Sequence, residues 1–318
     1  MPDPRVSIVM PIYNAAAFVR AAADSVLSQS WRDLELIVID DGSSDDSWRE
    51  VEQIGDPRVL LLRRDHGGAA AARNAGIERA RGRYLGFMDA DDVWLEGKLE
   101  HDVALLGAHP EADLVFSAMR MVDAAGRDSG RTIRRWPGVL ELRDLLIENR
   151  IGADTVLMRR EAADRAGRFD EELPAGSDYD YWLRVALLRP GNLRGSPRVT
   201  ALYRRRAGQL TGDWRQQLRV WNRIMTKMRG LCPEAVAEVE HLARASFARA
   251  QSAAAYESGD LAPAWELFRE AAHSAPGFMW RDRRTWLLAA ALASAHVLPR
   301  SVHRKLEGLA RTARASRP

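Results

Sequence analysis

Over residues 1–120, short apolar runs alternate with stretches whose apolar positions recur every three or four residues. Residues 6–10 form the first run, followed by Phe18, Ala22 and Val26 at helical spacing with Val19, Ala23 and Leu27 beside them. Residues 34–39 and 59–62 repeat the pattern. Between them Ser43 or Ser44 is placed to cap a helix carrying Trp48, Val51 and Ile54, and Gly67-Gly68 then opens a third helix through Ile77. Residues 84–88 make a fourth strand. This alternation predicts an α/β fold with a mostly parallel central sheet flanked by helices, which holds ligands outside the carboxyl ends of its strands.

The pattern loosens further along. Residues 95–106, 140–148 and 179–188 read as helices, and 114–116, 155–158 and 199–203 as strands. Residues 125–137 read as a polar, Arg- and Gly-rich loop that suits a mobile lid. From Trp214 onward the chain is helical throughout, which puts a domain boundary near Gly212. The expected organisation is a domain over 1–212, with a ligand-binding half (1–120) and a second half (121–212), followed by an all-helical C-terminal region over 213–318. Within that region, residues 253–276 resemble a single tetratricopeptide-type helical hairpin.

Composition narrows the class. The 318 residues are 46% hydrophobic and 29% charged, as expected of a soluble globular chain. One cysteine, Cys232, excludes an intramolecular disulfide framework and a Cys-rich zinc site. Residues 1–6 leave no room for a secretion signal before the first apolar run, and no apolar stretch reaches the roughly 20 residues of a spanning helix. A cytoplasmic protein is expected. The net charge of +3 is unevenly spread: residues 277–318 carry +7 and the remainder about −4. A basic tail beside the apolar segment 286–298 suits peripheral contact with an acidic membrane face, or simply a solvated helix face. The main domain offers no nucleic-acid groove.

The chemistry concentrates at strand ends. The fourth strand runs into Asp89-Ala90-Asp91-Asp92, where carboxylates packed this closely repel one another unless a hard cation joins them; an acidic turn is the plainer alternative. Pro11-Ile12-Tyr13-Asn14 closes the first strand with an aromatic that suits either stacking on a flat base or core packing. Asp40-Asp41-Gly42-Ser43 closes the second, offering acceptors to a base and a ribose, or a helix cap. Gly67-Gly68 through Arg73-Asn74 opens a helix whose N–H groups favour anionic oxygens. Neither the dinucleotide fingerprint nor the P-loop occurs, which argues against nicotinamide and flavin enzymes and P-loop nucleotidases.

Taken in order, these four motifs strongly resemble family 2 glycosyltransferases of the GT-A fold over about residues 5–205. The resemblance implies an inverting enzyme with a nucleotide-diphosphate sugar donor, UDP-sugars ahead of GDP- or dTDP-sugars, and Mg²⁺ or Mn²⁺. It implies a hydroxyl acceptor, lipid-linked or polysaccharide, and work in cell-surface polysaccharide or glycoconjugate synthesis. Carried onto this chain, Pro11, Tyr13, Asn14, Asp40 and Asp41 would surround the nucleoside, with Asp41 accepting from the base. Gly68, Arg73, Asn74, Asp89 and Ala90 would complete the donor site. Asp91 would be the principal metal ligand, with Asp89.

An inverting transfer also requires a base on the acceptor side. Ser177-Asp178-Tyr179-Asp180-Tyr181-Trp182-Leu183-Arg184 resembles the family's Glu-Asp-x-Asp-x-Trp-x-Arg region, with Ser177 in place of Glu. It makes Asp178 the expected base and Asp180 the second candidate, with a helix cap as the structural alternative for Asp178. At Tyr203-Arg204-Arg205-Arg206 many relatives carry a histidine where Arg206 stands. An arginine cannot ligate a metal but its fork can hold a diphosphate. The competing readings are a catalytically idle adaptor using its helical tail and a sugar-phosphate nucleotidyltransferase. The latter normally has a Gly-rich basic loop after strand one, absent from residues 11–17.

Overall fold

The computed structural model describes residues 5–206, 209 and 212–297. Residues 1–4 and the tail arginines from Arg300 onward lie outside them. The chain divides into two compact units, one of Met1–Leu142 with Arg150–Arg206, the other of Arg143–Asn149 with Ala207–Pro318.

In the first unit a ten-stranded sheet is built from β1 (Val6–Ile12), β2 (Leu34–Asp40), β3 (Val59–Arg63), β4 (Tyr84–Phe87), β5 (Val93–Trp94), β6 (Leu114–Val122), β7 (Asp128–Ile133), β8 (Gly138–Leu140), β9 (Leu157–Arg159) and β10 (Leu193–Arg204). The spatial order is β3-β2-β1-β4-β9-β6-β10-β5, with β7 on β6 and β8 on β10. The first four strands are mutually parallel, as are β6 and β10, while β9 runs antiparallel between β4 and β6. β1 and β2 are buried on both faces, which is why they read as continuous apolar runs rather than alternating ones.

Helices α1 (Val19–Leu27), α2 (Ser47–Glu52), α3 (Ala69–Arg79) and α4 (Lys98–Ala108) follow the early strands. α1 buries Val19, Ala22, Ala23, Val26 and Leu27, one stripe at i, i+3, i+4, i+7 and i+8, in the same core as Ile8, Met10 and Leu36. α3 lies so close to β1 that a Cβ on Gly76 would stand 2.4 Å from Val9 Cγ1, so a side chain there would force the helix off the sheet.

After α5 (Leu142–Ile147) come a 3₁₀ turn (Ala153–Thr155), α6 (Arg160–Ala166) and α7 (Ser177–Ala186). An aromatic cluster fastens α7 to the sheet: Phe87, at the end of β4, meets Phe169 at 5.4 Å and Trp182 at 5.7 Å edge-on, and Phe169 stacks on Tyr181 at 4.1 Å. α7 is thereby fixed beside the strand that leads into Asp89.

Two expectations need correction. The proposed lid over 125–137 contains strand β7, paired antiparallel with β6 through Met119 and Ile133, Arg120 and Thr132. Pro11 lies inside β1 rather than in a turn after it; pairing with β4 ends at Val9, so a residue lacking an N–H is tolerated there.

The second unit carries α8 (Trp214–Leu231), α9 (Pro233–Glu257), α10 (Leu261–Ser274), α11 (Pro276–Met279) and α12 (Arg283–Val297). Asp213 caps α8, accepting from the N–H groups of Arg215 and Gln216. α9 and α10 form a hairpin closed by small residues, Ala245, Ala248 and Ala255 sharing a core with Ala264, Leu267 and Phe268. No helix among the described residues is long and apolar enough to cross a membrane.

Candidate active site

The carboxyl ends of β1, β2 and β4 and the start of α7 supply the groups. Asp89 follows β4 directly. Its carboxylate accepts from Arg73 Nη2 on α3 at 2.5 Å, and its N–H donates to Asp154 Oδ1 at 2.6 Å. Arg73 is buried, its guanidinium lies 5.7 Å over the Phe169 ring, and among the described residues its Nε has no hydrogen-bond partner. Burial works against the Arg73 charge, and the carboxylates of Asp89, Asp178 and Asp154 outweigh it, so its pKa rises.

The acids are under mutual strain. Asp89 is raised above the ordinary carboxylate range by burial and by repulsion from Asp91 and Asp178, against the pull of Arg73. Asp92 is pushed well up by burial and by Asp154. Asp154 is pushed up to about 7, by burial first and then by Asp89. Asp154, from the 3₁₀ turn, and Asp92 form a buried carboxyl pair beneath the site. Asp92 belongs to the carboxylate motif read from the sequence, but its pairing with Asp154 was not foreseen, since only proximity in the fold unites them.

Asp91 is held from β10 and the residues after it. Arg206 Nε donates to its carboxylate at 2.7 Å and Arg204 Nε to its carbonyl at 2.8 Å, while the Arg204 N–H donates to Asp92 Oδ1 at 2.8 Å. Among the described residues no group of three or more His, Cys, Asp or Glu side chains is arranged to hold a metal. Asp89 and Asp91 nevertheless fit Mg²⁺ or Mn²⁺, which takes one or two protein carboxylates and completes its shell with phosphate and water. Their mutual repulsion is what such an ion relieves.

The nucleoside-side residues are placed as follows. Tyr13 is 48% exposed and stacks on His66, with ring centroids 4.2 Å apart. Asn14 has φ +48°; its N–H donates to Ser43 Oγ and its side-chain oxygen accepts from Ser44 N–H, tying the two strand-end loops together. Asp40 is fully buried, accepts from Ser43 N–H at 3.0 Å and faces Arg63 at 3.3 Å. Ala90 is buried.

Several assignments change. The Asp41 carboxylate accepts from Gly67 N–H and from Gly68 N–H at 2.7 Å, with His66 Nδ1 2.9 Å from it and hydrogen-bonded to the Asp41 carbonyl at 3.1 Å. The Gly68 N–H is therefore committed to Asp41, and Gly68, with φ +89°, serves as the N-cap of α3. Asn74 does not face a donor: its amide donates to Phe169 O at 3.0 Å and to Glu171 at 2.7 Å and accepts from Phe169 N–H at 2.8 Å. Asp180 is withdrawn as a base, because it is fully buried and paired with Arg184 Nε at 2.9 Å. Asp178 is different. The N-cap of α7 is Gly176, so Asp178 is not spent on capping, and its charge reaches both Arg73 and Asp89.

A mixed α/β sheet whose first four strands are parallel, with an acidic patch at their carboxyl ends and a helix-borne carboxylate within electrostatic reach, is the architecture of a GT-A-type protein. The sequence profile of Glycosyl transferase family 2 matches residues 7–167, half of the chain, and the chain belongs to that family. It is 29% identical over 235 residues to an uncharacterized glycosyltransferase of Rickettsia prowazekii, covering 71% of this chain and 73% of that one. A Rickettsia felis relative is 31% identical over 59% of this chain, which spans only 32% of that protein's length. A 107-residue stretch, 33% of this chain and 42% of the relative, is 42% identical to the Escherichia coli UDP-Glc:alpha-D-GlcNAc-diphosphoundecaprenol beta-1,3-glucosyltransferase WfgD. Among solved structures, Staphylococcus aureus TarS with UDP-GlcNAc has a TM-score of 0.65 at 18% identity, covering 92% of this chain and 87% of that one. The Pyrobaculum calidifontis mannosyltransferase PcManGT, with GDP-Man and Mn²⁺, has a TM-score of 0.61 at 20% identity, covering 99% and 86%. These two likenesses concern the fold.

Proposed function

We propose that this chain is a metal-dependent inverting glycosyltransferase that moves a sugar from a nucleotide-diphosphate donor, a UDP-sugar in preference, onto an acceptor hydroxyl. The observation that carries the reading is the meeting of Asp89, Asp91, Arg73 and Asp178 at the end of β4. Asp91 and Asp89 hold Mg²⁺ or Mn²⁺, which when bound neutralises the departing diphosphate. Arg73 steadies Asp89 and, with Arg206, supplies fixed positive charge where negative charge builds on the leaving group. Asp178 takes the proton of the acceptor hydroxyl as it attacks the anomeric carbon from the face opposite the departing nucleotide.

Residues 1–212 act as the catalytic domain and 213–318 as an accessory helical region. The names of WfgD and of other relatives favour a lipid-linked acceptor and a role in polysaccharide or glycoconjugate assembly. A peripheral position at the inner membrane face agrees with the outer stripe of α12: Trp286, Leu287, Ala290 and Ala293 are exposed, beside exposed Trp280, Arg281 and Arg283. Co-sedimentation with anionic vesicles that survives Trp286→Ser with Leu287→Ser would contradict this placement.

The test of the reaction is a panel of nucleotide sugars with Mn²⁺ or with chelator, run on the wild type and on Asp178→Asn. The account expects metal-dependent turnover of one donor class. Asp178→Asn should keep donor binding and lose transfer by about 10²- to 10⁴-fold, the usual worth of a general base. Full transfer by Asp178→Asn sinks the assignment of the base.

A further inference from the structure

We infer that Lys98 is a positioning residue of the transfer site: its buried ammonium holds the 3₁₀ turn that carries Asp154 and, through Asp154, the backbone of Asp89. The inference rests on the glycosyltransferase reading above and extends it to a residue outside the strand-end motifs.

Lys98 opens α4 and is 0% exposed. Its Nζ donates to Asp102 Oδ2 one turn further along the helix and to Thr155 O at 3.3 Å, and it lies 4.5 Å over the Trp94 ring. Trp94 stands two residues after Asp92, and Thr155 directly follows Asp154. One ammonium therefore touches both segments that carry the buried acids.

From Thr155 the path to the site is short. Its N–H at 3.0 Å and its hydroxyl at 2.7 Å both donate to Gly152 O, which closes the turn on itself. A Cβ on Gly152 would overlap Met119 Sδ of β6, so the turn is pressed against the sheet as well as gripped by Lys98. Asp154 Oδ1 then accepts from Asp89 N–H at 2.6 Å. Moving Thr155 moves the acceptor that fixes Asp89, and with it the carboxylate that meets Arg73.

Stability alone is a poor reason for a cation here. A buried charge is costly, the helix dipole disfavours a cation at an N-terminus, and Lys four residues before Asp is the weaker order for a helical pair. Burial raises Asp102 above the ordinary carboxylate range against the pull of Lys98, and among the described residues its Oδ1 has no hydrogen-bond partner. Two apolar side chains would fill this space without those costs. What they cannot supply is a donor to Thr155 O.

The test compares three variants of the full chain. Lys98→Met keeps a stem beside Trp94, Lys98→Met with Asp102→Leu makes the pair apolar, and Asp102→Asn keeps the donor to Thr155. Melting temperature, Mn²⁺ affinity in the presence of UDP, and kcat for sugar transfer are read for each. Lys98→Met should lower Tm by about 10 °C, because Asp102 is left buried and unpaired, and the apolar pair should recover most of that loss. In both, Mn²⁺ affinity and kcat should each fall about 10- to 100-fold, the usual worth of a group that orients a metal ligand. Asp102→Asn should do the reverse, lowering Tm while Mn²⁺ affinity and kcat stay within about threefold of wild type. Should Lys98→Met fail to fold, the apolar pair, which leaves no charge unpaired, gives the same reading. Metal affinity and transfer that return with Tm in the apolar pair, or fall in step with Tm in Asp102→Asn, make Lys98 a stabilising residue only and overturn the inference. Wild-type metal affinity and kcat in Lys98→Met overturn it too, and each of these results leaves the glycosyltransferase reading standing. A wild type that neither binds nucleotide nor transfers sugar overturns both.

Discussion

Arg206 Nε lies 2.7 Å from the Asp91 carboxylate, so a fixed positive charge already occupies the group proposed to ligate the metal. Both side chains are partly buried, which keeps the pair from being fully screened. If Asp91 ligates an ion as proposed, Arg206 would have to give way or turn toward the diphosphate. Arg206→Gln should therefore tighten Mn²⁺ binding in the absence of nucleotide by about 3- to 10-fold and weaken UDP binding in its presence, the scale of a partly buried ion pair. Mn²⁺ titration of both proteins, with and without UDP, checks this. Unchanged metal affinity would mean that the ion does not use Asp91.

Asn74 is an architectural residue, and its loss should register as instability. Its amide grips the Phe169 backbone from both sides and reaches Glu171, holding the loop that precedes α7. Asn74→Ala strands buried backbone groups and should destabilise by about 2–4 kcal/mol. Thermal melting should show the loss, with nucleotide affinity preserved in the folded fraction. A stable variant with poor nucleotide binding would restore Asn74 to the donor site.

The raised Asp92 and Asp154 carboxyls fix the sign of a pH-dependent contribution to stability. Both are raised above the ordinary carboxylate range, Asp154 to about 7, so the folded protein binds more protons than the unfolded chain across that interval. Their stability contribution is fully present below the unfolded pKa and is lost as pH rises through the folded one. The melting temperature of the metal-free protein should fall between about pH 5 and pH 8, and Asp154→Asn should flatten most of that slope. A slope identical in Asp154→Asn would place the titration elsewhere.

The sequence discloses some of this site and conceals the rest for identifiable reasons. β1, β2 and β4 are legible because central strands buried on both faces become unbroken apolar runs, and their carboxyl ends mark the motifs. β7 is not legible, because almost every residue in it is exposed and no hydrophobic period survives. β10 begins at Leu193, six residues before its readable part, because Arg, Gly, Ser and Pro interrupt the run and bulges shift its register.

Asp178 and Asp180 look alike as letters. Two residues apart on a helix, they face different sides, and only packing against Arg184 buries one of them. Asp154 pairs with Asp92 across 62 residues, a contact no local pattern encodes. The Gly67-Gly68 motif is legible as backbone donors, but its first partner proves to be Asp41 in its own fold.

The central claim is that Asp91 and its neighbours hold a metal-bound nucleotide, and calorimetry on wild type and Asp91→Ala with UDP, with and without Mn²⁺, tests it most directly. The account predicts UDP binding that needs Mn²⁺ in the wild type and is lost in a folded Asp91→Ala. Metal-independent binding, or binding undiminished in Asp91→Ala, would contradict it.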